Sequence, residues 1–558
     1  MPGPGTRLRP VMTRPTPVGR SIVPAPNGAD PSPLCGPRDA MPSCPRAIQA
    51  PLSCPRRASD DTSPNRPTVA GRSITHAQPS SRAASGGEPD LIQLSLTQQR
   101  LWFLNQLEDA SGTWNVPVAV RLRGPVDRTA LVAALRDTVL RQETLRTLFV
   151  DEGGVPWQRV LEPDEVEVPL QVVAAVGDPA ENLAAEATRG FDLAEELPVR
   201  ASLFELGPQD QVLLLVMHHI ATDGWSLDPL FRDLSTAYSA RVEGREPGWE
   251  PLPVQYTDYA EWQREVLGEV SDPQSLISRQ LGYWREALEG IPEQIALPYD
   301  KPRPAVSSRH GALVPFSLDV ELHQGLTALA RRTGTSLFMV FHAAFATLLT
   351  RLGAGHDIPI ATPTVDRSDE ALDDLVGFFV NTLVMRVDTS GDPTFEELLH
   401  RVRDMALGAI SHQDVPFDRV VEELNPQRSL SRQALFQVVL MVAEKGDTLR
   451  LPGVECTEYP VDFPVVRFDM WLGLTEAKSP EGDCLGVAGE LLYSTDLFER
   501  STMQSLVERF VLLLRTAAAR PELPLSAMNS RRAFTAVRRR PVRSRTTADS
   551  APEGQNAP

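Results

Sequence analysis

Two adjacent histidines followed by an aspartate and a glycine, His218, His219, Asp223 and Gly224, form the pattern in this sequence that is best suited to chemistry. An imidazole with an unperturbed pKa exchanges protons near neutral pH, so one histidine could be the base of an acyl transfer while Asp223 holds the loop through a buried ion pair. The same residues also fit a structural pair, with one histidine in the core and Asp223 turning the loop. A metal site is disfavoured, and we predict none, because adjacent histidines on a strand converge poorly and no cysteine or acidic cluster completes the shell.

A buried strand and a helix are predicted to position this pattern. The apolar run 212–216 is typical of a strand buried on both faces, and the later Asp-Gly pair marks a tight turn. Ser226 suits the N-cap of the helical pattern that follows it. Because side chains alternate along a strand, His218 and His219 should point to opposite sides, and only one of them can face a given cleft.

Seven motifs, in one order over roughly residues 93–520, resemble those of the condensation domains of nonribosomal peptide synthetases. His218 to Gly224 matches HHxxxDG, which marks the wider acyltransferase superfamily of these domains. The others, each with the family's form in parentheses, are SLTQQRLWFL at 95–104 (SxAQxRLWFL), RQETLRTLF at 141–149 (RHExLRTxF), YTDYAEW at 256–262 (YxDYAxW), VGFFVNT at 376–382 (GxFVNT), HQDVPFD at 412–418 (HQDxPFE) and RSLSRQALFQ at 428–437 (RxxSRxPLFQ). Gln142, Asp418 and Ala434 depart from the family's His, Glu and Pro.

The resemblance implies an α/β fold of two chloramphenicol-acetyltransferase-like lobes that form a V-shaped pseudo-dimer with a central tunnel. We place the N-terminal lobe at 91–275 and the C-terminal lobe at 276–527. Residues 1–90 are rich in Pro and Arg, and residues 528–558 are basic and polar. Both segments are predicted to be disordered tails because they cannot bury enough apolar surface to offset the entropy of ordering. No adenylation domain follows the second lobe, so a free-standing or truncated protein is expected.

The resemblance also implies amide bond formation between a donor acyl or peptidyl thioester and an acceptor aminoacyl thioester. Both would arrive on the phosphopantetheine arms of peptidyl carrier proteins, so the expected partners are a donor and an acceptor carrier, and the chain itself is predicted to bind no cofactor. His219 would take the amine proton or hold the amine for attack, and the Gly224 amide would stabilise the oxyanion. Two alternatives stay open: an acyltransferase onto a small-molecule amine or alcohol, and a carrier-docking module without turnover.

The resemblance assigns further residues to the support of the site and to its channel. His218 is expected to be structural. Asp223 is expected to pair with an arginine, and Arg141 is favoured over Arg146 as that partner. The residues predicted to face the channel between the lobes, where substrate could contact them, are Asn381, Trp225 and Ser226.

Charge and cysteine content exclude several classes of function. A net charge of −18 and the lack of a basic stripe interleaved with aromatics argue against a nucleic-acid partner. The five cysteines are not spaced for a zinc site or a disulfide framework, which favours a reducing compartment. No apolar stretch approaches the roughly 18 residues of a membrane span, and the basic N-terminus lacks the apolar core of a secretory signal. We therefore predict a cytoplasmic protein with no membrane contact. We also predict that it is a monomer.

Overall fold

The computed structural model describes residues 52–53, 74, 91–107, 111–168, 170–174, 178–427, 429–463 and 465–528. All of them fall within one unit of the chain, residues 46–558. Most of the two predicted tails, 1–90 and 528–558, therefore lies outside the described residues. Their disorder stays a prediction, as does the boundary between lobes at 275/276.

Several helices begin at residues whose side chains accept the free backbone N–H groups of the first turn. The Asp127 carboxylate accepts from the Ala130 N–H (3.0 Å). Ser95 and Gln98 have the spacing of a capping box and form one, in which each side chain accepts the other residue's backbone N–H (3.1 and 3.0 Å). The helices are α1 (Leu96–Leu107), α2 (Arg128–Arg141), α3 (Pro179–Thr188), α4 (Leu227–Val242), α5 (Tyr256–Leu267), α6 (Leu276–Ala287), α7 (Val320–Thr333), α8 (Leu337–Arg351), α9 (Phe395–Ile410), α10 (Phe417–Leu424) and α11 (Arg500–Ala519).

Runs rich in Val, Leu and Ile form most of the longer strands, as their preference for a pleated surface predicts. The strands are β1 (Leu52–Ser53), β2 (Leu91–Gln93), β3 (Asn115–Arg123), β4 (Thr147–Glu152), β5 (Val155–Val160), β6 (Leu170–Ala174), β7 (Val199–Gly207), β8 (Asp210–His218), β9 (Gly311–Leu318), β10 (Asp357–Val365), β11 (Val380–Asp388), β12 (Val438–Lys445), β13 (Glu455–Glu458), β14 (Met470–Lys478) and β15 (Cys484–Ser494). The predicted α/β class is confirmed, and the expected strand at 212–216 is the centre of β8.

The second half of the chain is built on a sheet whose main strand order is β11-β10-β12-β14-β15-β9. In it β12 is parallel to both β10 and β14, whereas β11, β15 and β9 are antiparallel to their neighbours. β1 pairs with the end of β12. Leu440, Leu472 and Leu491 of this sheet share a core with Val340 and Phe345 of α8.

The first half contains a sheet in the order β13-β3-β8-β7-β6, and a small sheet β2-β5-β4. β8 lies between β3 and β7 and is antiparallel to both. Its alternate side chains join two clusters, one with α2 and α4 (Leu213, Leu215 and Met217) and one around Phe191 (Val212, Leu214 and Val216). β8 is therefore buried on both faces. β13, which comes from the second half of the chain, adds an edge strand through its pairing with β3.

Among the described residues, no single helix is long and apolar enough to span a membrane. Together, α7 and α8 have the length and apolar composition of a membrane span, but the pair is bent by 102° at the break between them. Residues 339–349 of α8 are buried in the core, which accounts for its apolar composition.

Candidate active site

His218, the first histidine of the pair, is the last residue of β8 and is fully buried. Its Nδ1 accepts the Ile220 backbone N–H (3.1 Å), and its ring meets Phe191 edge-to-face at 6.1 Å. Burial, and to a smaller extent the nearby cationic side chains, lowers the pKa of His218 to about 3. A neutral imidazole held in the core supports the loop, in line with the structural role expected of it.

His219 begins the turn that follows β8 and lies half-buried in the wall of a cavity. Its Nδ1 is 2.7 Å from the Thr222 carbonyl oxygen, and since a carbonyl can only accept, we assign the ring proton to Nδ1. Nε2 then keeps a lone pair that can accept a hydrogen bond. The ring packs edge-to-face on Phe378 at 5.1 Å. Burial, followed by Arg467, lowers the pKa of His219 to about 4, so the imidazole is neutral at physiological pH.

Asp223 is fully buried and ties the loop of His219 to the second half of the chain. Its Oδ1 accepts from the Ser226 N–H (2.9 Å) and hydroxyl (2.8 Å), and its Oδ2 accepts from the Phe379 N–H (3.0 Å). Burial raises the pKa of Asp223, and Arg367 opposes that rise. The carboxylate therefore acts as an anchor between two segments.

The prediction that Arg141 is the partner of Asp223 is wrong. The Arg141 guanidinium instead bonds the carboxylate of Asp233 (3.2 Å). The reason is geometric, because α2 and α4 pack together and the end of α2 meets the second turn of α4 rather than the loop that precedes it. The cation that acts on Asp223 is Arg367, which follows β10 and donates to Ser226 Oγ (3.1 Å).

Ser226, predicted to face the channel, is fully buried. Its Oγ lies 2.8 Å from Asp223 Oδ1 and 2.9 Å from the Gly377 carbonyl oxygen, and it accepts the Gly377 N–H (3.1 Å). The prediction of a substrate contact is therefore wrong, because the hydroxyl is engaged within the protein. Ser226 does occupy the N-cap position of α4, but its side chain makes no capping hydrogen bond.

The segment 376–380, which meets the loop that carries His219 and Asp223, is held by close contact with α5. A Cβ atom added at Gly377 would lie 2.1 Å from the Tyr256 ring, so no larger residue fits there without displacement. The Tyr256 hydroxyl donates to the Phe378 carbonyl oxygen (2.7 Å) and lies 3.0 Å from Ser95 Oγ. Tyr256 is 1% exposed, so it is a core residue that holds this segment in place.

A cavity of about 280 Å³ lies beside His219 and is lined by residues from both halves of the chain. The aromatic side chains of its wall are Trp114, Trp225, Phe378, Phe417, Phe436, Phe468 and Trp471. Its arginines are Arg100, Arg309 and Arg467. Gly224 also lies in the lining, and among the described residues no acceptor takes its backbone N–H. This position supports the oxyanion role expected of that amide.

Asn381 and Trp225, two of the predicted channel residues, both lie in the lining of this cavity. The Asn381 side chain is nevertheless engaged by the protein, since its Nδ2 donates to the carbonyl oxygens of Gln413 (2.7 Å) and Val415 (2.8 Å) and its Oδ1 accepts the Phe417 N–H (2.9 Å). Asn381 thus holds this segment of the wall in place. Trp225 also lines a second cavity of about 570 Å³, which shares part of its lining with the first.

Two of the residues that depart from the family's motifs make specific contacts at the edge of the site. Gln142 is buried, and it donates to Asp233 Oδ2 (2.9 Å) and accepts the Val376 N–H (2.9 Å), so it links α2 to the segment 376–380. Asp418 pairs with Arg100 at 3.0 Å, and both line the cavity. Both residues therefore make polar contacts between the two halves of the chain.

The central pattern is hydrogen-bonded in a way that does not fit a metal site. The Nδ1 atoms of His218 and His219 and both carboxylate oxygens of Asp223 are engaged by protein groups. Within the part of the chain that the structure describes, no three His, Cys, Asp or Glu side chains are grouped as metal ligands.

Sequence reasoning did not find the two arginines that act on this site, Arg367 and Arg467. Arg467 lies in the cavity wall, where its guanidinium stacks on Trp114 at 4.3 Å. Asp469, two residues further on, bonds Arg303 (2.9 Å), which fixes the start of β14. The Arg-Phe-Asp triplet at 467–469 can be recognised in the sequence as a candidate functional motif. The residues around it do not show that its arginine lies near His219.

Comparisons with known proteins agree on one family. The family model described as "Condensation domain" matches residues 89–536. The chain is 51% identical over 443 residues to a protein of Salinispora arenicola described as "Probable non-canonical nonribosomal peptide synthetase (NRPS) CymA", and 48% identical over 461 residues to the dimodular nonribosomal peptide synthase of Bacillus subtilis. These matches cover 79% and 82% of this chain but only 6% and 19% of the two relatives.

A solved structure supports the same fold. The X-domain in its complex with OxyB from teicoplanin biosynthesis is similar with a TM-score of 0.74 and 36% identity. The match covers 80% of this chain and 98% of that one, so the likeness extends over the whole X-domain.

Proposed function

Because this chain belongs to the condensation-domain family, we propose that it forms an amide bond between a donor acyl or peptidyl thioester and an acceptor aminoacyl thioester, both held on carrier proteins. The observation that carries the proposal is the His219 imidazole, which is neutral, oriented by Thr222 and set in the wall of a cavity. The phosphopantetheine thioesters of the carriers are substrates in this reaction.

In the proposed reaction the acceptor amine attacks the carbonyl carbon of the donor thioester. A C–N bond forms, and the C–S bond breaks when the tetrahedral intermediate collapses. The proton lost by the nitrogen ends on the leaving thiolate, so the products are one amide and one free thiol. His219 Nε2 accepts a hydrogen bond from the attacking amine, and the Gly224 N–H stabilises the negative oxygen of the intermediate.

The pKa of His219 favours positioning over strong base catalysis. A general base works best when its pKa lies near the operating pH, and a histidine with a pKa of about 4 holds a proton weakly at neutral pH. A neutral imidazole is still a good hydrogen-bond acceptor. We therefore assign His219 chiefly to the alignment of the amine, with the proton passing through Nε2 only briefly.

A second candidate is a carrier-docking module without turnover. The observation that favours it is the 36% identity to the X-domain that was solved in complex with OxyB. A neutral His219 and a Gly224 amide in the lining of the same cavity support catalysis instead, because a docking surface requires neither group.

Intact-protein mass spectrometry tests the proposal. A donor carrier bearing an acyl or aminoacyl thioester is mixed with the protein and with one of two acceptors, an aminoacyl-loaded carrier or a free amine. We expect the donor group to move onto the loaded carrier. Discharge onto the free amine alone would instead support a small-molecule acyltransferase, and discharge onto neither acceptor across a broad panel of carriers would support the docking module.

A further inference from the structure

One wall of the cavity beside His219 is a face of the second-half sheet. Val439 of β12, Trp471 of β14 and Leu492 of β15 are paired across these neighbouring strands, and all three line the cavity. Side chains two residues apart on a strand point to the same face. Glu490 therefore shares the face of Leu492, and it pairs in register with Gly473 of β14.

Trp471 lies flat along its own strand because Gly473 leaves room for it. A Cβ atom added at Gly473 would lie 2.3 Å from Cη2 of the Trp471 ring, so the indole covers that position. Gly473 is the register partner of Glu490. The ring thus runs from the cavity wall towards the position of Glu490 on the neighbouring strand, which lies just beyond the lining residues Trp471 and Leu492.

Glu490 is a buried carboxyl group without a partner among the described residues. It is 7% exposed, and no donor within the described part of the chain is hydrogen-bonded to it. Burial, with a smaller contribution from Glu458, raises the pKa of Glu490 to about 8. Buried polar groups in native proteins are nearly always paired, and those that are not often mark places where a ligand supplies the partner.

We propose that Trp471 and Glu490 form a subsite that receives the cationic side chain of one of the two condensing substrates. The terminal ammonium or guanidinium group would lie on the indole face and pair with Glu490, whose carboxyl group releases its proton to solvent as the cation binds. The pair combines a cation–π contact with a charge-assisted hydrogen bond. The inference rests on the proposed function, since the side chain belongs to a substrate whose reacting group is held at His219. The substrate class is an aminoacyl group of the lysine, ornithine or arginine type.

Equilibrium binding by calorimetry tests the subsite without turnover. The probes are two stable pantetheine amides, one of lysine and one of norleucine, which differ only in the terminal ammonium group. We expect the wild-type protein to bind the lysine probe about tenfold more tightly. Glu490→Gln keeps the shape of the side chain and should abolish that preference, while Trp471→Leu should reduce it severalfold.

The control is Glu508→Gln, because Glu508 is an exposed carboxylate on α11. This variant should keep the full preference for lysine, and a thermal melt of each variant shows that it is folded. Equal affinity of the wild-type protein for both probes would overturn the subsite, as would a preference for lysine that persists in Glu490→Gln.

A competition between lysyl-loaded and norleucyl-loaded carriers separates this inference from the proposed function. The loaded carriers are offered once as donors and once as acceptors, and the products are weighed by mass spectrometry. Transfer in both arrangements without preference for lysine would overturn the subsite and leave the proposed function standing. Tight, Glu490-dependent binding of the lysine probe without any transfer would support the subsite and contradict the proposed function.

Discussion

Replacing Asp223 by alanine should destabilise the fold, because this carboxylate joins the loop of His219 to the second half of the chain. The change removes an acceptor from the N–H and hydroxyl of Ser226 and from the N–H of Phe379 in a fully buried setting. The hydroxyl can still donate to the Gly377 carbonyl oxygen, so the two N–H groups carry most of the loss. Each buried donor left without an acceptor costs about 1–3 kcal/mol, and breaking a buried charged pair costs about 3–5 kcal/mol in total. Water that enters the space recovers part of this, so we expect the free energy of unfolding to fall by about 3–5 kcal/mol.

Urea denaturation followed by tryptophan fluorescence measures this loss. Glu181→Ala is the matched control, since Glu181 is an exposed carboxylate on α3 and its loss should change the free energy of unfolding by less than about 0.5 kcal/mol. The reasoning would be refuted if Asp223→Ala unfolded at the same urea concentration as the wild-type protein.

A double-mutant cycle isolates the electrostatic part of this anchor. Arg367 opposes the rise that burial causes in the pKa of Asp223, so the two side chains are coupled. We expect a coupling energy of roughly 1–3 kcal/mol between Asp223→Asn and Arg367→Met. The corresponding cycle with Arg141→Met should give a coupling near zero, because Arg141 pairs with Asp233.

Three further changes test other parts of the account. With a His219 pKa of about 4, the titration of this group should leave the single-turnover rate of transfer level from neutral pH down to roughly pH 5. Arg467→Met should raise the pH at which the rate begins to fall in acid, because the cation that disfavours protonation of His219 is gone. An unchanged pH profile would contradict this. Gly377→Ala should lower the free energy of unfolding by at least about 2 kcal/mol in urea denaturation. Gly282→Ala, on a helix with open space around the added Cβ, should instead raise it by up to about 1 kcal/mol. Equal effects would show that the contact between residue 377 and the Tyr256 ring is relieved at little cost. Both ring nitrogens of His342 are buried without a hydrogen-bond partner among the described residues and its pKa is lowered to about 3, so His342→Leu should stabilise the protein by about 1–2 kcal/mol at pH 7. The gain in stability should grow as the pH falls below about 6.5, because only the unfolded wild-type chain then takes up a proton at this residue. Thermal melts at two pH values that show no such growth would count against the prediction.

The parts of the fold that local patterns control could be predicted from the sequence. The apolar run 212–216 indicates a strand buried on both faces, and β8 is such a strand. Ser95 and Gln98 have the spacing of a capping box and form one. Both signals lie within a few residues of the structure that they produce.

The contacts between distant segments could not be predicted in the same way. β13 pairs with β3, although their residues lie in different halves of the chain. The edge of a sheet presents unpaired N–H and C=O groups, which can bind a strand from any part of the chain that lies close enough. The motif that contains Arg141 predicts this arginine as the partner of Asp223. Which cation lies near Asp223 depends instead on how α2 packs against α4. Such pairings follow from tertiary packing, on which the sequence around each residue carries little information.

The single-turnover rate of transfer between two loaded carriers, measured for His219→Ala beside the wild-type protein, tests the central claim most directly. His400→Ala is the control, since His400 is an exposed histidine on α9. The account predicts that His219→Ala lowers the rate by about 10²–10⁴-fold while its melting temperature stays close to that of the wild type, and that His400→Ala changes neither. A folded His219→Ala variant that transfers the donor group at the wild-type rate would contradict the account.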